Sequence, residues 1–148
     1  MLVFHAPANS QNKFEISGGI GFPETIAIKI KYGNNLQIGV SQGFWLFSIL
    51  NSPPEIINGP TIGEIYYHFS GHSEYNVPPP WYIYSGLAFR FGEDYLLFCP
   101  RAGRSFYISE RSGVNIDLGA LIPLTKNFLD NINSPLLPSG SIGLFYRF

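Results

Sequence analysis

The segment Ser141-Ile142-Gly143-Leu144-Phe145-Tyr146-Arg147-Phe148 governs how the rest of the chain is read. Ile142, Leu144, Tyr146 and Phe148 occupy alternate positions, with Gly143 and Arg147 between them. Side chains of a strand point to opposite faces in turn, so this is a strand with one apolar face. The same period recurs upstream. Ile26, Ile28, Ile30 and Tyr32 alternate with Ala27, Lys29 and Lys31. Phe14, Ile16, Gly18, Ile20 and Phe22 alternate with Glu15, Ser17, Gly19 and Gly21. A spacing of three and four, which would mark a helix, never persists.

Turn chemistry separates the alternating runs. Pro23-Glu24-Thr25 breaks the first from the second, because proline cannot donate to a ladder. Gly33-Asn34-Asn35 is a tight turn of residues that tolerate positive φ, after which Leu36, Ile38, Val40 and Phe44 oppose Gln37, Gly39, Ser41 and Gly43. Leu46–Pro60 reads as a long connection rich in Asn, Pro and Gly. Ile65, Tyr67 and Phe69 then oppose Glu64, Tyr66 and His68, and Gly71–Pro80 is loop by composition. Trp81, Ile83, Leu87, Phe89 and Phe91 alternate with Tyr82, Tyr84, Gly86, Ala88 and Arg90. In Tyr95–Ser109, Pro100 predicts a bulge that changes the facing of the residues after it. Val114, Ile116, Leu118, Ala120 and Ile122 oppose Asn115, Asp117 and Gly119, and Pro123–Ser139 is the last long connection. The count is about eight strands of about ten residues, the size of the smallest membrane-spanning barrels.

Composition narrows the class. Charged residues are 13% of the 148, about half the usual fraction. Aromatics reach 16%, with 13 Phe and 9 Tyr, and a net charge of −1 gives nucleic acid no basic surface. The single Cys99 forms no intrachain disulfide and fits no metal spacing. No run of about 18 apolar residues can form a spanning helix. Few charges without a long apolar run fit a transmembrane β-barrel, whose apolar residues are diluted by alternation.

Ser141, Gly143, Tyr146 and Phe148 resemble the C-terminal strand by which the barrel assembly machinery recognises bacterial outer-membrane barrels. With Trp81–Gly92 added, residues 13–148 resemble a small outer-membrane β-barrel of the OmpA-transmembrane or OmpX-like type, in the outer-membrane β-barrel-domain family of bacteroidete-type bacteria. The resemblance implies an all-β, antiparallel, up-and-down transmembrane barrel closed by pairing of its first and last strands. It also implies a Gram-negative outer-membrane location, contact with outer-membrane lipid, and no shared activity or cofactor. Residues 1–12 are expected to be the remnant of a signal peptide or a disordered arm.

A soluble lipocalin-like barrel has the same period with the faces exchanged. Three features favour lipid outside. Glycine is abundant on the polar faces, as the crowded interior of a narrow barrel requires. Nineteen charged residues (9 basic, 10 acidic) are too few to solubilise a barrel exterior. Aromatic residues of the apolar face gather near strand ends, with Phe14, Tyr32, Phe69, Trp81, Tyr146 and Phe148 at one rim and Phe22, Phe44 and Phe91 at the other, as in an interfacial girdle. Glu15, Lys29, Lys31, Glu64, His68, Arg90, Arg101, Asp117 and Arg147 are then expected to form an interior charge network.

His68-Phe69-Ser70-Gly71-His72-Ser73-Glu74 contains the ingredients of acyl-ester hydrolysis, a set that barrel-borne lipid A deacylases use. Here it falls at a turn on the side of the two termini, and no Gly-x-Ser-x-Gly elbow accompanies it. His68 and His72 share a face only on a helix, so a metal site is not expected. The reading is therefore no enzyme and no cofactor, but a structural or interaction scaffold that presents its outer loops, Leu46–Pro60 and Pro123–Ser139, to a protein partner. The alternatives are a small porin-like transport or sensing barrel for a hydrophobic molecule, an acyl hydrolase acting on lipid A, and the soluble lipocalin-like barrel.

Overall fold

The computed structural model describes residues 13–47, 55–73, 75–92, 96–125 and 136–148. Residues 1–12, expected to be a signal remnant or arm, lie outside the described residues. Eight strands come in chain order: β1 Lys13–Phe22, β2 Thr25–Gly33, β3 Leu36–Phe47, β4 Glu55–Ser70, β5 Trp81–Phe89, β6 Leu96–Tyr107, β7 Ser112–Pro123 and β8 Leu137–Arg147. Each pairs with the next, and β1 pairs antiparallel with β8, closing an up-and-down barrel. That seam is continuous from Glu15↔Arg147 to Phe22↔Gly140, so closure leaves no sheet edge along it. Lys13 and Arg147 lie at one end of the barrel, the terminal end. The segments joining β3 to β4 and β7 to β8 leave from the other, the loop end.

Two connections are shorter than their composition suggests. Leu46, Phe47 and Glu55–Pro60 are not loop but continue β3 and β4 as a ribbon, Trp45↔Ile57 and Phe47↔Glu55. The register shifts between Gln42 and Phe44, where Gly59 and Pro60 bulge opposite Gly43. Pro60 fits because the pairing of β4 with β5 stops at Thr61↔Phe89, so no neighbour requires its missing N–H. At the other long connection β8 begins at Leu137, with Pro138 beyond the last β1–β8 pair, Phe22↔Gly140.

Pro100 produces no bulge. The β5–β6 register runs unbroken through Ser85↔Pro100, and β6–β7 keeps the same offset from Phe98↔Ile122 to Arg101↔Gly119. The proline faces outward between buried Cys99 and buried Arg101, and the alternation of β6 passes through it unchanged.

The two faces differ sharply in chemistry. Outside, Leu118 and Leu144 are 72% and 66% exposed, in company with Ile28, Ile38, Ile65, Ile83 and Leu87. Inside, Glu24 and Arg147 are 0% and 2% exposed. A soluble barrel would show the reverse.

The β2–β3 turn depends on one glycine. Gly33 has φ 127°, and a Cβ there would stand 2.2 Å from the Leu36 carbonyl oxygen. Gly33→Ala is therefore expected to destabilise the barrel by about 1–3 kcal/mol, the usual magnitude for forcing a side chain into such a conformation. Urea unfolding followed by the two Trp residues would measure it, and an unchanged midpoint would show that the turn reorganises freely.

Candidate functional site: the charged barrel interior

Because β-strand side chains alternate, each strand delivers its polar residues to the axis. β2 supplies Lys29 and Lys31, β4 Glu64, Tyr66 and His68, β5 Tyr82 and Tyr84, β6 Arg101, β7 Asp117, and β8 Arg147. The described interior holds four buried cations, Lys29, Lys31, Arg101 and Arg147, and four buried carboxylates, Glu15, Glu24, Glu64 and Asp117. Removing charges from water costs several kcal/mol each, so pairing and hydrogen bonding are what make this interior tenable.

Arg101 is the hub of the central layer. Its guanidinium lies 3.1 Å from Asp117 Oδ1 and 3.2 Å from Glu24 Oε2, and donates to the Phe22 carbonyl at 3.0 Å and to Ser139 Oγ. Lys29 Nζ lies between Glu24 and Glu64, at 3.8 and 3.6 Å. Glu64 accepts from Ser41 Oγ at 2.7 Å, from the Tyr66 hydroxyl at 2.8 Å and from the Tyr84 hydroxyl at 3.3 Å. Asp117 accepts from Ser141 Oγ at 2.9 Å and the Tyr82 hydroxyl at 3.3 Å.

A second layer lies toward the terminal end. Glu15 pairs with Lys31 and, at 2.7 Å, with Arg147 Nε. One Arg147 nitrogen lacks a hydrogen-bond acceptor among the described residues, and the rings of Tyr107 and Phe145 flank the guanidinium at 5.5 Å each. His68 Nδ1 is 2.8 Å from the Pro79 carbonyl and Nε2 is 3.4 Å from Gln37 Oε1. Arg90 comes after β5 at the loop-end mouth, half-buried, with its guanidinium 4.9 Å from the Trp45 ring centroid. Alternation alone assigns it a face but not this depth.

Two interior features are not foreseen in the sequence. Glu24 belongs to a turn rather than a strand, so no alternation assigns it a face. Its neighbour Thr25 takes φ 55°, rare for a β-branched residue, within the turn that directs Glu24 inward. The loop end of the lumen is also apolar: Ile62, Ala88, Leu97, Cys99 and Leu121 pack together there, with Leu137 against them. Between the layers, Ser17, Lys29, Lys31, Tyr66, Tyr82 and Asp117 line a cavity of about 20 Å³, space for a single water.

The His/Ser/acid candidates do not converge. His68 is buried inside, whereas His72 and Ser73 line a pocket at the terminal end, and Glu74 lies outside the described residues. The residues of the terminal-strand motif divide between the faces. Ser141 and Gly143 face inward, while Tyr146 and Phe148 face out with ring centroids 5.1 Å apart. Phe148 also packs on Phe14 at 6.0 Å.

The barrel matches a solved structure. It aligns with the N-terminal β-barrel domain of OprF from Pseudomonas aeruginosa at a TM-score of 0.57 and 16% identity, covering 93% of this chain and 100% of that one. The two share the fold of an eight-stranded barrel. No family model and no curated protein matches the sequence.

Proposed function

We propose that the chain is an integral outer-membrane barrel acting as a rigid scaffold for the segments at its loop end, without catalysis. The carrying observation is the inversion of its faces: charged groups buried at the axis, and Ile, Leu, Val and aromatic side chains exposed around the whole wall. Water would not stabilise so large an apolar surface, and a bilayer would. Strands of 9 to 16 residues are long enough to cross the hydrocarbon layer. The likeness to the OprF barrel domain supports the location, and the patterns of Trp81–Gly92 and Ser141–Phe148 support kinship with bacteroidete-type barrels and insertion by the assembly machinery.

The scaffold reading over a channel or transporter rests on how the lumen is filled. Among the described residues an apolar cluster fills the loop end, and the paired layers below it enclose a cavity of about 20 Å³. The β1–β8 seam is paired along its length, which gives a hydrophobic molecule no lateral gate there. Partner specificity then resides in the β3–β4 and β7–β8 connections. In planar bilayers the reconstituted protein is expected to give no stepwise conductance, and incubation with lipid A to release no acyl chain. Reproducible steps, or release abolished by Ser73→Ala, would replace the scaffold with a channel or an esterase. Mild-detergent purification from native membranes would identify the partner.

A further inference from the structure

β6 carries two arginines on opposite faces. Arg101 points to the axis, and Arg104, three residues on, stands exposed on the outer wall. Its guanidinium carbon lies 5.3 Å from the Trp81 ring centroid and 5.0 Å from that of Phe106, inside the aromatic girdle of the terminal end. Among the described residues no carboxylate forms an ion pair with it, in contrast to the four buried cations of the lumen. At the depth of an interfacial girdle an arginine is tolerated at little cost, and there it stands at the level of the lipid headgroups.

Beside Arg104 is a pocket of about 260 Å³, lined by His72, Ser73, Tyr75, Pro80 and Phe106. Hydrogen bonds hold its outer side in place. The Tyr75 hydroxyl donates to the Ile108 carbonyl at 3.1 Å, the Tyr107 hydroxyl to the Pro78 carbonyl at 3.0 Å, and the Ser105 N–H to the Pro80 carbonyl at 2.8 Å. The β4–β5 connection, long for the terminal end, is thereby laid along β6 and forms one wall of the pocket.

We infer that this pocket binds the phosphodiester of an anionic glycerophospholipid in the leaflet surrounding the terminal end, an inference that rests on the membrane reading above. A guanidinium stacked on aromatic faces keeps its N–H edges free, and its planar fork matches two phosphate oxygens. The Ser73 hydroxyl and the His72 imidazole are further donors at the same pocket. From Arg104 toward the middle of the wall, exposed Ile83 and Leu118, which flank Ala102 in the register, continue as an apolar path for the acyl chains. A free phosphate would use the charge and leave that path unoccupied.

The test uses the full chain in nanodiscs of phosphatidylcholine with a minority of phosphatidylglycerol, with insertion checked first by protease protection. Native mass spectrometry of the released protein is expected to show retained phosphatidylglycerol and no retained phosphatidylcholine. Arg104→Gln is expected to cut retention about tenfold or more, as loss of a charge-assisted hydrogen bond implies. Arg90→Gln, which removes the same charge at the opposite mouth, should leave retention unchanged. Equal retention by wild type and Arg104→Gln would overturn the inference while leaving the membrane reading intact. Displacement of the lipid by inorganic phosphate would overturn it in favour of a free-anion site, and failure of the wild type to insert would remove both readings together.

Discussion

Arg101→Ala is expected to lower the unfolding free energy by about 3–5 kcal/mol, the effect of stranding buried charges without their counter-charge. Arg101 is 4% exposed and contacts Asp117, Glu24, Ser139 and the Phe22 carbonyl, joining the β1–β2 turn to β6, β7 and β8. The alanine would leave the lumen with three cations facing four carboxylates. Asp117 would lose its one ion-pair partner among the described residues, and Glu24 would keep only Lys29 at 3.8 Å. Arg101→Met with Asp117→Asn tests the same idea from the other side, since the double substitution restores the charge balance at nearly constant volume. It should recover most of the loss. Urea titration in phosphatidylcholine vesicles, read by intrinsic fluorescence, measures both. A double variant as unstable as Arg101→Ala would mean that Arg101 contributes through packing against the Tyr84 ring, 5.2 Å away, and not through charge.

The charge balance also explains what the sequence could and could not reveal. Where a strand alternates cleanly, facing is legible: Ile28 and Ile30 stand outside, and Lys29 and Lys31, alternating with them, stand inside. The register comes from the same pattern and the tight turns, with Ile16↔Ile30 and Ile30↔Val40 stacking apolar positions on one face. Closure is legible because the first and last runs both carry this face.

Three things are hidden, each for a physical reason. Glu24 lies in a turn, where period 2 gives no information, and only the folded turn shows that it partners two cations. The apolar plug is obscured because Leu97 and Leu121 face inward beside outward-facing apolar neighbours, so consecutive apolar residues show no contrast. Proline misleads twice in opposite ways. Pro60 suggests a loop where a ribbon runs, and Pro100 suggests a bulge where the register is unbroken. In each case what matters is whether a neighbouring strand needs the missing N–H, which composition does not record.

Ile30→Arg distinguishes a lipid-facing wall from a water-facing one by the size of its effect. Ile30 lies on the outer face opposite Ile16 on β1 and Val40 on β3, so its surroundings are apolar on both sides. In a bilayer an arginine near mid-depth on this face costs about 2–4 kcal/mol, falling to about 0–1 near the interface. Phe91→Arg supplies the interface comparison, because Phe91 is 83% exposed at the loop-end turn after β5. Were the exterior bathed in water, both substitutions would sit on a polar surface and each would fall within about 0.5 kcal/mol of wild type. Vesicle-based urea titrations of the two variants should therefore separate by about 1–4 kcal/mol, with Ile30→Arg the less stable. Depth dependence is the decisive feature: a general intolerance of arginine would lower both midpoints equally, and only a hydrocarbon layer penalises the deeper position more. Equal and small effects would reverse the assignment of the faces to their solvents and return the chain to the soluble, lipocalin-like class.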